Sequence, residues 1–171
     1  SERDGLYTQM LFALFPVYLR AINNGGFVLH AAMMEAAGKC VLLAGSKGVG
    51  KSTCARRIPD LWRCFCDEEI LIVKDPSGRL RAHPFPTWSS FLRREKETRY
   101  AVEKNLPISA VFFLEQGKED SVIKLPAGEA GGLLFKHAME GVDRFKRFCK
   151  KEEKRSLIEN IINKIPYYRL H

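Results

Sequence analysis

The residues best suited to chemistry are nine consecutive positions, 45–53, whose types and spacing are typical of a phosphate-binding loop. They are Gly45, Ser46, Lys47, Gly48, Val49, Gly50, Lys51, Ser52 and Thr53. Positions 45–52 match the pattern G-x-x-x-x-G-K-[ST] at every fixed position, and Thr53 follows directly. Glycines let the backbone aim successive N–H groups at an anion, and a helix predicted to follow adds its positive end. Lys51 can reach the β- and γ-phosphates, and the Ser52 hydroxyl can bind Mg²⁺. The sequence therefore predicts binding of a nucleoside triphosphate with magnesium.

An acidic run, Asp67-Glu68-Glu69, follows the short apolar stretch Cys64–Cys66. An acid at a strand end beside a phosphate loop commonly holds Mg²⁺ or orients the attacking group. We predict that Asp67 is the essential acid and a metal ligand, because it directly ends the strand. Glu68 is the alternative base or metal ligand, and a solvated acidic turn is the structural alternative for the whole run.

The elements that must position these residues are mostly short strands. The phosphate-loop pattern is preceded by an apolar strand at 40–44, and a turn at 36–39 connects that strand to another at 27–34. Further predicted strands are 63–66, 70–74, 79–83, 106–114, 121–125 and an edge strand at 165–170. Predicted helices are 6–22 with a break at Pro16, 53–58, 89–104, 127–139 and 141–163. Hairpins are more frequent in this pattern than alternating βαβ units.

Composition limits the class of protein. The chain has 171 residues, 46% hydrophobic and 28% charged, as expected for one globular domain. The apolar run Leu11–Leu19 is interrupted by Pro16 and is too short to span a bilayer, so no membrane association is predicted. Five cysteines without a framework spacing favour a reduced, cytoplasmic setting.

The net charge of +8 predicts an anionic partner without choosing one. Nucleic-acid binding depends on this charge alone and is disfavoured. The charge also suits a nucleotide or an acidic peptide.

Segment 27–72 resembles the catalytic core of HPr kinase/phosphorylase and its shorter relatives. Leu29-His30 matches a Leu-His element of that family, and the separation of His30 from Lys51 is the one that the family shows. Gly48–Ser52 matches the family's loop, and Asp67-Glu68 falls where the family has two aspartates. From the residues alone, His30 and His83 would be ordinary core or strand-end histidines.

The resemblance implies an ATP-dependent kinase that phosphorylates a serine of a peptide or small protein. It implies one domain over residues 1–171, of the α/β class leaning toward α+β, with a mixed, hairpin-rich β-core like that of phosphoenolpyruvate carboxykinase. The many predicted hairpins agree with such a sheet. By resemblance, His30 lines the active site, Lys51 grips the phosphates, Ser52 takes Mg²⁺, and Glu68 or Asp67 is the base. Short members of the family occur beside genes for ribosomally made peptides, and the length of this chain fits that subgroup.

Departures from the family pattern keep other functions open. Glu68 replaces an aspartate, Lys47 replaces a small residue, and the family's downstream Glu-x-Arg-Gly element has no counterpart except the poor substitute Glu129. Phosphorylase activity is therefore not implied. One alternative is a non-catalytic nucleotide-binding subunit of a peptide-maturation system. Another is a small-molecule P-loop kinase, with a lid formed by Arg93, Arg94 and Arg99. The oligomeric state, including a homo-oligomer, is left open.

Overall fold

The computed structural model describes residues 2–86, 101–140 and 151–171, and these form a mixed α+β fold. The helices, in chain order, are α1 (Glu2–Ala13), α2 (Phe15–Asn23), α3 (Lys51–Arg56), α4 (Ala127–Glu140) and α5 (Lys151–Glu159). The strands are β1 (Phe27–Leu29), β2 (Ala31–Ala36), β3 (Lys39–Ala44), β4 (Arg63–Cys66), β5 (Ile70–Lys74), β6 (Leu80–Pro84), β7 (Leu106–Leu114), β8 (Val122–Lys124) and β9 (Tyr167–Leu170). The predicted leaning toward α+β, with a mixed sheet, is confirmed.

The strands form a sheet in the order β1-β5-β6-β7-β3-β2-β4, and β9 pairs with β7 and β8 outside this path. Strand β7 is parallel to β3 and to β9, and the other pairs are antiparallel. Strand β7 is nine residues long; its first residues pair with β6 and its last ones with β9. It therefore joins the half of the sheet with β1, β5 and β6 to the half with β2, β3 and β4.

The chain passes between these two halves at two neighbouring places. Leu29 pairs with Ile70 where β1 meets β5, whereas Met33 pairs with Cys66 where β2 meets β4. His30 connects β1 to β2, and residues 67–69 connect β4 to β5. We call these two neighbouring connections the sheet corner.

The prediction of one continuous strand over 27–34 is wrong, because the strand is interrupted at His30. The strand breaks there because β1 pairs with β5, in one half of the sheet, and β2 pairs with β3 and β4, in the other. The predicted turn at 36–39 is confirmed, with Ala37 and Gly38 at φ 51° and 74°. Left-handed backbone at both central residues suits the twist of a two-residue hairpin.

Apolar residues on both faces of the sheet are covered by helices. Leu134 and Ala138 of α4 pack with Leu42 and other strand residues in the main core. Tyr18 of α2 packs in a second cluster with Val28, and Ala55 of α3 packs in a third cluster with Leu43. These strand residues are the sequence neighbours of strand residues in the main core. Since successive side chains on a strand point to opposite faces, α4 lies over one face of the sheet and α2 and α3 over the other.

The predicted edge strand at 165–170 is also wrong, because β9 lies between β7 and β8. Pro166, which suggested an edge, precedes the strand, and its carbonyl accepts a hydrogen bond of 3.1 Å from the Val111 amide. Because Pro166 stands before the first paired residue of β9, its missing N–H interrupts none of the strand pairing. Of the predicted helices at 89–104 and 141–163, residues 89–100 and 141–150 lie outside the described residues.

The predicted break at Pro16 is close to the observed one, since α1 ends at Ala13 and Pro16 lies in the first turn of α2. A proline is accommodated there because its N–H would have no partner within the helix. Taken together, Glu2–Asn23 is 22 residues with a mean hydropathy of 1.2 in its most apolar window, so length and composition alone would let it cross a membrane. Signal sequences and core helices share these properties, and the cytoplasmic setting stays a prediction.

Candidate functional site

The loop at 45–50 connects strand β3 to helix α3. At two of its positions the structure requires a glycine, for a different reason at each. Gly50 precedes α3 with φ 113°, a conformation that residues with a side chain rarely adopt. At Gly45, a Cβ atom would lie 2.8 Å from Val49 Cγ1 and 3.0 Å from the Leu114 carbonyl oxygen. Gly45 therefore allows β3 and β7 to approach each other directly beneath the loop.

The Lys51 side chain turns back under this loop. Its Nζ atom donates hydrogen bonds to the carbonyl oxygens of Gly45 (2.6 Å) and Ser46 (3.1 Å), and the residue is 6% exposed. Burial lowers the pKa of Lys51, while the nearby carboxylates of Glu140 and Asp67 raise it. A positive charge is thus fixed beneath the loop rather than extended into water.

The remaining loop side chains differ in exposure. Lys47 and Thr53 are exposed, whereas Ser46, Val49 and Ser52 are half-buried. The Val49 amide donates to the Ser46 carbonyl at 3.2 Å, which closes the first half of the loop as a turn. The predicted positions 45–53 therefore do form one continuous loop and helix start.

The three predicted acids lie at the sheet corner, just after β4. The Asp67 carboxylate is close enough to Lys51 to raise the pKa of its ammonium group, and Glu68 acts in the same way on His30. Both reach the site because the chain bends at 67 and 68 instead of continuing the alternation of a strand. Glu69 is buried, at 7% exposure.

His30 lies at the same corner, between β1 and β2, and it is half-buried. Its backbone N–H donates to the carbonyl oxygen of His137 at 3.5 Å. Burial lowers the pKa of His30, and Lys51 lowers it further, against the opposing effects of Glu140 and Glu68. The imidazole is therefore neutral at pH 7, and it shares its surroundings with the loop lysine and with the acids.

Two residues of α4 belong to this site although the sequence did not point to them. His137 is 3% exposed, and its Nδ1 lies 2.9 Å from Oε2 of Glu140. Its ring stacks on Phe113, with centroids 5.8 Å apart and planes at 25°. The spacing of three residues between His137 and Glu140 was a signal for a helical pair. Nothing in that spacing shows that this helix face meets the loop.

Two other candidates lie elsewhere. His83 is in β6, and burial and Arg81 lower its pKa. Glu129, considered as a substitute for the family's downstream acid, pairs with Arg169 instead.

The donors available to a metal ion fit magnesium better than a transition metal. Among the described residues, no three His, Cys, Asp or Glu side chains are grouped so as to hold an ion. Mg²⁺ usually takes only one or two carboxylates and completes its shell with waters and phosphate oxygens. The Ser52 hydroxyl beside Lys51 and the Asp67 carboxylate, which acts on Lys51, are donors of this kind.

The chain forms a mixed α+β domain with a buried lysine beneath a glycine-rich loop. Two histidines and several carboxylates lie within electrostatic reach of one another around that lysine. Over residues 1–171 the sequence matches the family model described as SynChlorMet cassette protein ScmC. The chain therefore belongs to the ScmC family. No curated protein matches the sequence significantly.

Proposed function

We propose that this protein is an ATP-dependent kinase that transfers the γ-phosphate to a serine hydroxyl of a peptide or small protein. The observation that carries the proposal is the loop at 45–53 with Lys51 held beneath it and Asp67 beside it. Backbone amides, a fixed cation and a metal-binding acid are the parts that phosphoryl transfer requires. Resemblance to the HPr kinase/phosphorylase family, including a phosphate loop on a hairpin-rich mixed sheet, supports the same reaction.

The proposed roles follow from charge and position. Lys51 and the loop amides hold the β- and γ-phosphates, and Ser52 and Asp67 would hold Mg²⁺, which would neutralise phosphate charge. The serine oxygen of the acceptor bonds to the γ-phosphorus, the bond from that phosphorus to the bridging oxygen breaks, and ADP leaves. The serine proton passes to a carboxylate at the sheet corner. Asp67 is assigned as the essential acid because its charge acts on Lys51, and Glu68 is the alternative base or metal ligand.

The family description supports a substrate that is itself a cassette product. It names a cassette protein, and short members of the family that this chain resembles occur beside genes for ribosomally made peptides. The net charge of +8 also suits an acidic peptide as well as a nucleotide. A small-molecule kinase and a non-catalytic nucleotide-binding subunit remain the competing proposals.

Nucleotide binding is tested by thermal unfolding with Mg²⁺–ATP. A ligand at about 100 times its Kd stabilises the folded state by about 2.7 kcal/mol, which corresponds to a rise of roughly 5–10 °C in Tm for a chain of this size. Lys51→Ala should lose most of this rise relative to its own ligand-free Tm. The matched control is Lys39→Ala, which removes an exposed lysine at the end of β3 away from the loop and should keep the full rise. An equal rise in the Lys51 variant would overturn the assignment.

Transfer is tested with γ-labelled ATP and a panel of serine-containing peptides encoded beside the gene. We expect label on a serine, and no label on a matched peptide in which alanine replaces that serine. Nucleotide binding without transfer to any peptide would favour the non-catalytic subunit. Label on a small metabolite would favour the small-molecule kinase.

A further inference from the structure

A cavity of about 390 Å³ lies against the first half of the glycine-rich loop. We call it the loop cavity. Its walls are loop residues from 46–49, the end of β7 with the residues after it, and one face of α4. This volume is within the range of small-molecule sites.

The loop cavity and the acids lie on opposite flanks of the loop strand. Strand β3 has β2 and then β4 on one side, and β4 leads into Asp67. On its other side β3 pairs with β7, whose last residues, Phe113 and Leu114, line the cavity. A ligand whose phosphates lie along the loop therefore has the acids toward one flank and a pocket toward the other.

The lining chemistry suits a group with flat apolar faces and polar edges. Val49, Leu114 and Leu133 supply apolar surface, and Gln116, Lys136 and His137 supply polar groups. The carboxylate of Glu115 also lines the cavity, and most of its lining surface is polar. Such a lining can contact the face of an aromatic ring and offers hydrogen-bond partners to ring nitrogens and hydroxyls. A serine acceptor must instead approach beside the carboxylate that takes its proton, on the Asp67 flank. The cavity is thus left for the other end of the nucleotide.

We propose that the loop cavity receives the nucleoside end of the nucleotide, with the base and ribose against α4 and the triphosphate along 45–53. This proposal rests on the proposed nucleotide binding, and it adds where the base lies and which residues select it. Leu133 contacts the base or ribose, and Gln116 and Lys136 contact their polar edges.

The first test compares Mg²⁺–ATP with Mg²⁺–tripolyphosphate by titration calorimetry on the unmodified protein. Both ligands carry three phosphates, but only ATP carries a nucleoside. We expect ATP to bind about tenfold more tightly or better, because buried ligand atoms beyond the phosphates contribute to affinity. Equal affinities would overturn the nucleoside site and leave the phosphate site standing. Failure of both ligands to bind would instead overturn the proposed function itself.

The second test uses substitutions at one lining position. Leu133→Gln keeps similar length but replaces apolar surface by an amide, and it should weaken ATP binding about fivefold while tripolyphosphate binding stays unchanged. Leu133→Met, the matched control, should keep both affinities, since methionine and leucine exchange at little cost. A Leu133→Gln variant that loses both ligands equally, or neither, contradicts the proposal.

A third measurement locates the base of the bound nucleotide on the unmodified protein. After irradiation with 8-azido-ATP, mass spectrometry should find the adduct in 113–116 or 127–140, and excess ATP should suppress it. An adduct confined to other segments would place the base elsewhere and overturn the proposal.

Discussion

The Nδ1 atom of His137 lies 2.9 Å from Oε2 of Glu140, and the pair places two titratable groups of helix α4 at the candidate site. Glu140 raises the pKa of Lys51 and of His30 against the lowering effect of burial. A carboxylate at the end of α4 therefore influences both the loop lysine and the histidine of the sheet corner. The same helix lines the loop cavity through Leu133 and His137.

The His137 imidazole should make stability depend on pH. Burial lowers its pKa below 6.5, Lys136 and Lys51 lower it further, and Glu140 opposes them. Because the unfolded chain takes up the proton first, this histidine stabilises the fold above about pH 6.5 and loses that contribution as the pH falls toward its folded pKa. We expect the Tm of the unmodified protein to fall between pH 7 and pH 5, and less steeply in His137→Gln. Thermal unfolding across that range measures both slopes.

Glu140→Gln is the matching variant for this pH dependence. It removes the charge that raises the pKa of His137 and leaves only a weaker, neutral hydrogen-bond acceptor, so the folded pKa falls and the loss of stability in acid becomes larger. The order of slopes should be His137→Gln, unmodified protein, Glu140→Gln, from shallow to steep. The same slope in His137→Gln and the unmodified protein would contradict the assignment.

Replacing the essential acid should separate binding from transfer. Asp67→Asn keeps the shape of the side chain and removes its charge, so it should retain nucleotide binding and lose transfer by about a hundredfold or more. Glu68→Gln, at the next position of the same bend, is the comparison and should lose less. Initial rates of phosphotransfer, measured side by side, decide between the two carboxylates. Transfer by Asp67→Asn at the unmodified rate would show that Asp67 is not the base.

The Ser52 hydroxyl should matter through the metal ion. Ser52→Ala should raise the Mg²⁺ concentration needed for half of the ATP-induced Tm shift by about tenfold, since a metal oxygen donor is lost. The shift produced by nucleotide without Mg²⁺ should change much less. Thr53→Ala removes the exposed hydroxyl next in the chain and should leave the Mg²⁺ dependence unchanged. Equal losses with and without metal would count against Ser52 as a ligand.

The β2–β3 hairpin offers a test of the fold that does not depend on function. Ala37 has φ 51°, a left-handed conformation that costs roughly 1–2 kcal/mol for a residue with a side chain. Ala37→Gly should raise the free energy of unfolding by about 0.5–1 kcal/mol, after the greater freedom of glycine in the unfolded chain is subtracted. Urea denaturation measures the change.

Gly38→Ala is the counterpart in the same turn. A Cβ atom there would meet nothing within 4 Å, so its effect comes from φ 74° alone and should be destabilising. Stability changes of the same sign in the two variants would mean that the turn has another conformation.

The short-range features of this protein were determined by the sequence itself. The loop at 45–53, the hairpin turn at 36–39 and the strand at 40–44 depend on neighbouring residues, because glycine spacing and apolar runs act over a few positions. The mixed sheet was implied by the family resemblance, and the many predicted hairpins agreed with it. The acids at 67–69 could be placed after β4, although their approach to Lys51 and His30 depended on a bend at 67 and 68 that strand alternation does not predict.

Long-range pairing was decided only by the tertiary structure. The strand predicted at 27–34 breaks at His30 because its two ends pair with different strands. Strand β9 is internal because β8 pairs with the edge that it would otherwise expose. Glu140 reaches the surroundings of Lys51 because α4 packs its apolar face on the sheet, which turns the polar end of the helix toward the loop. Such contacts join residues far apart in the chain. The apolar pattern of a helix shows which face is buried but not which strands it will meet.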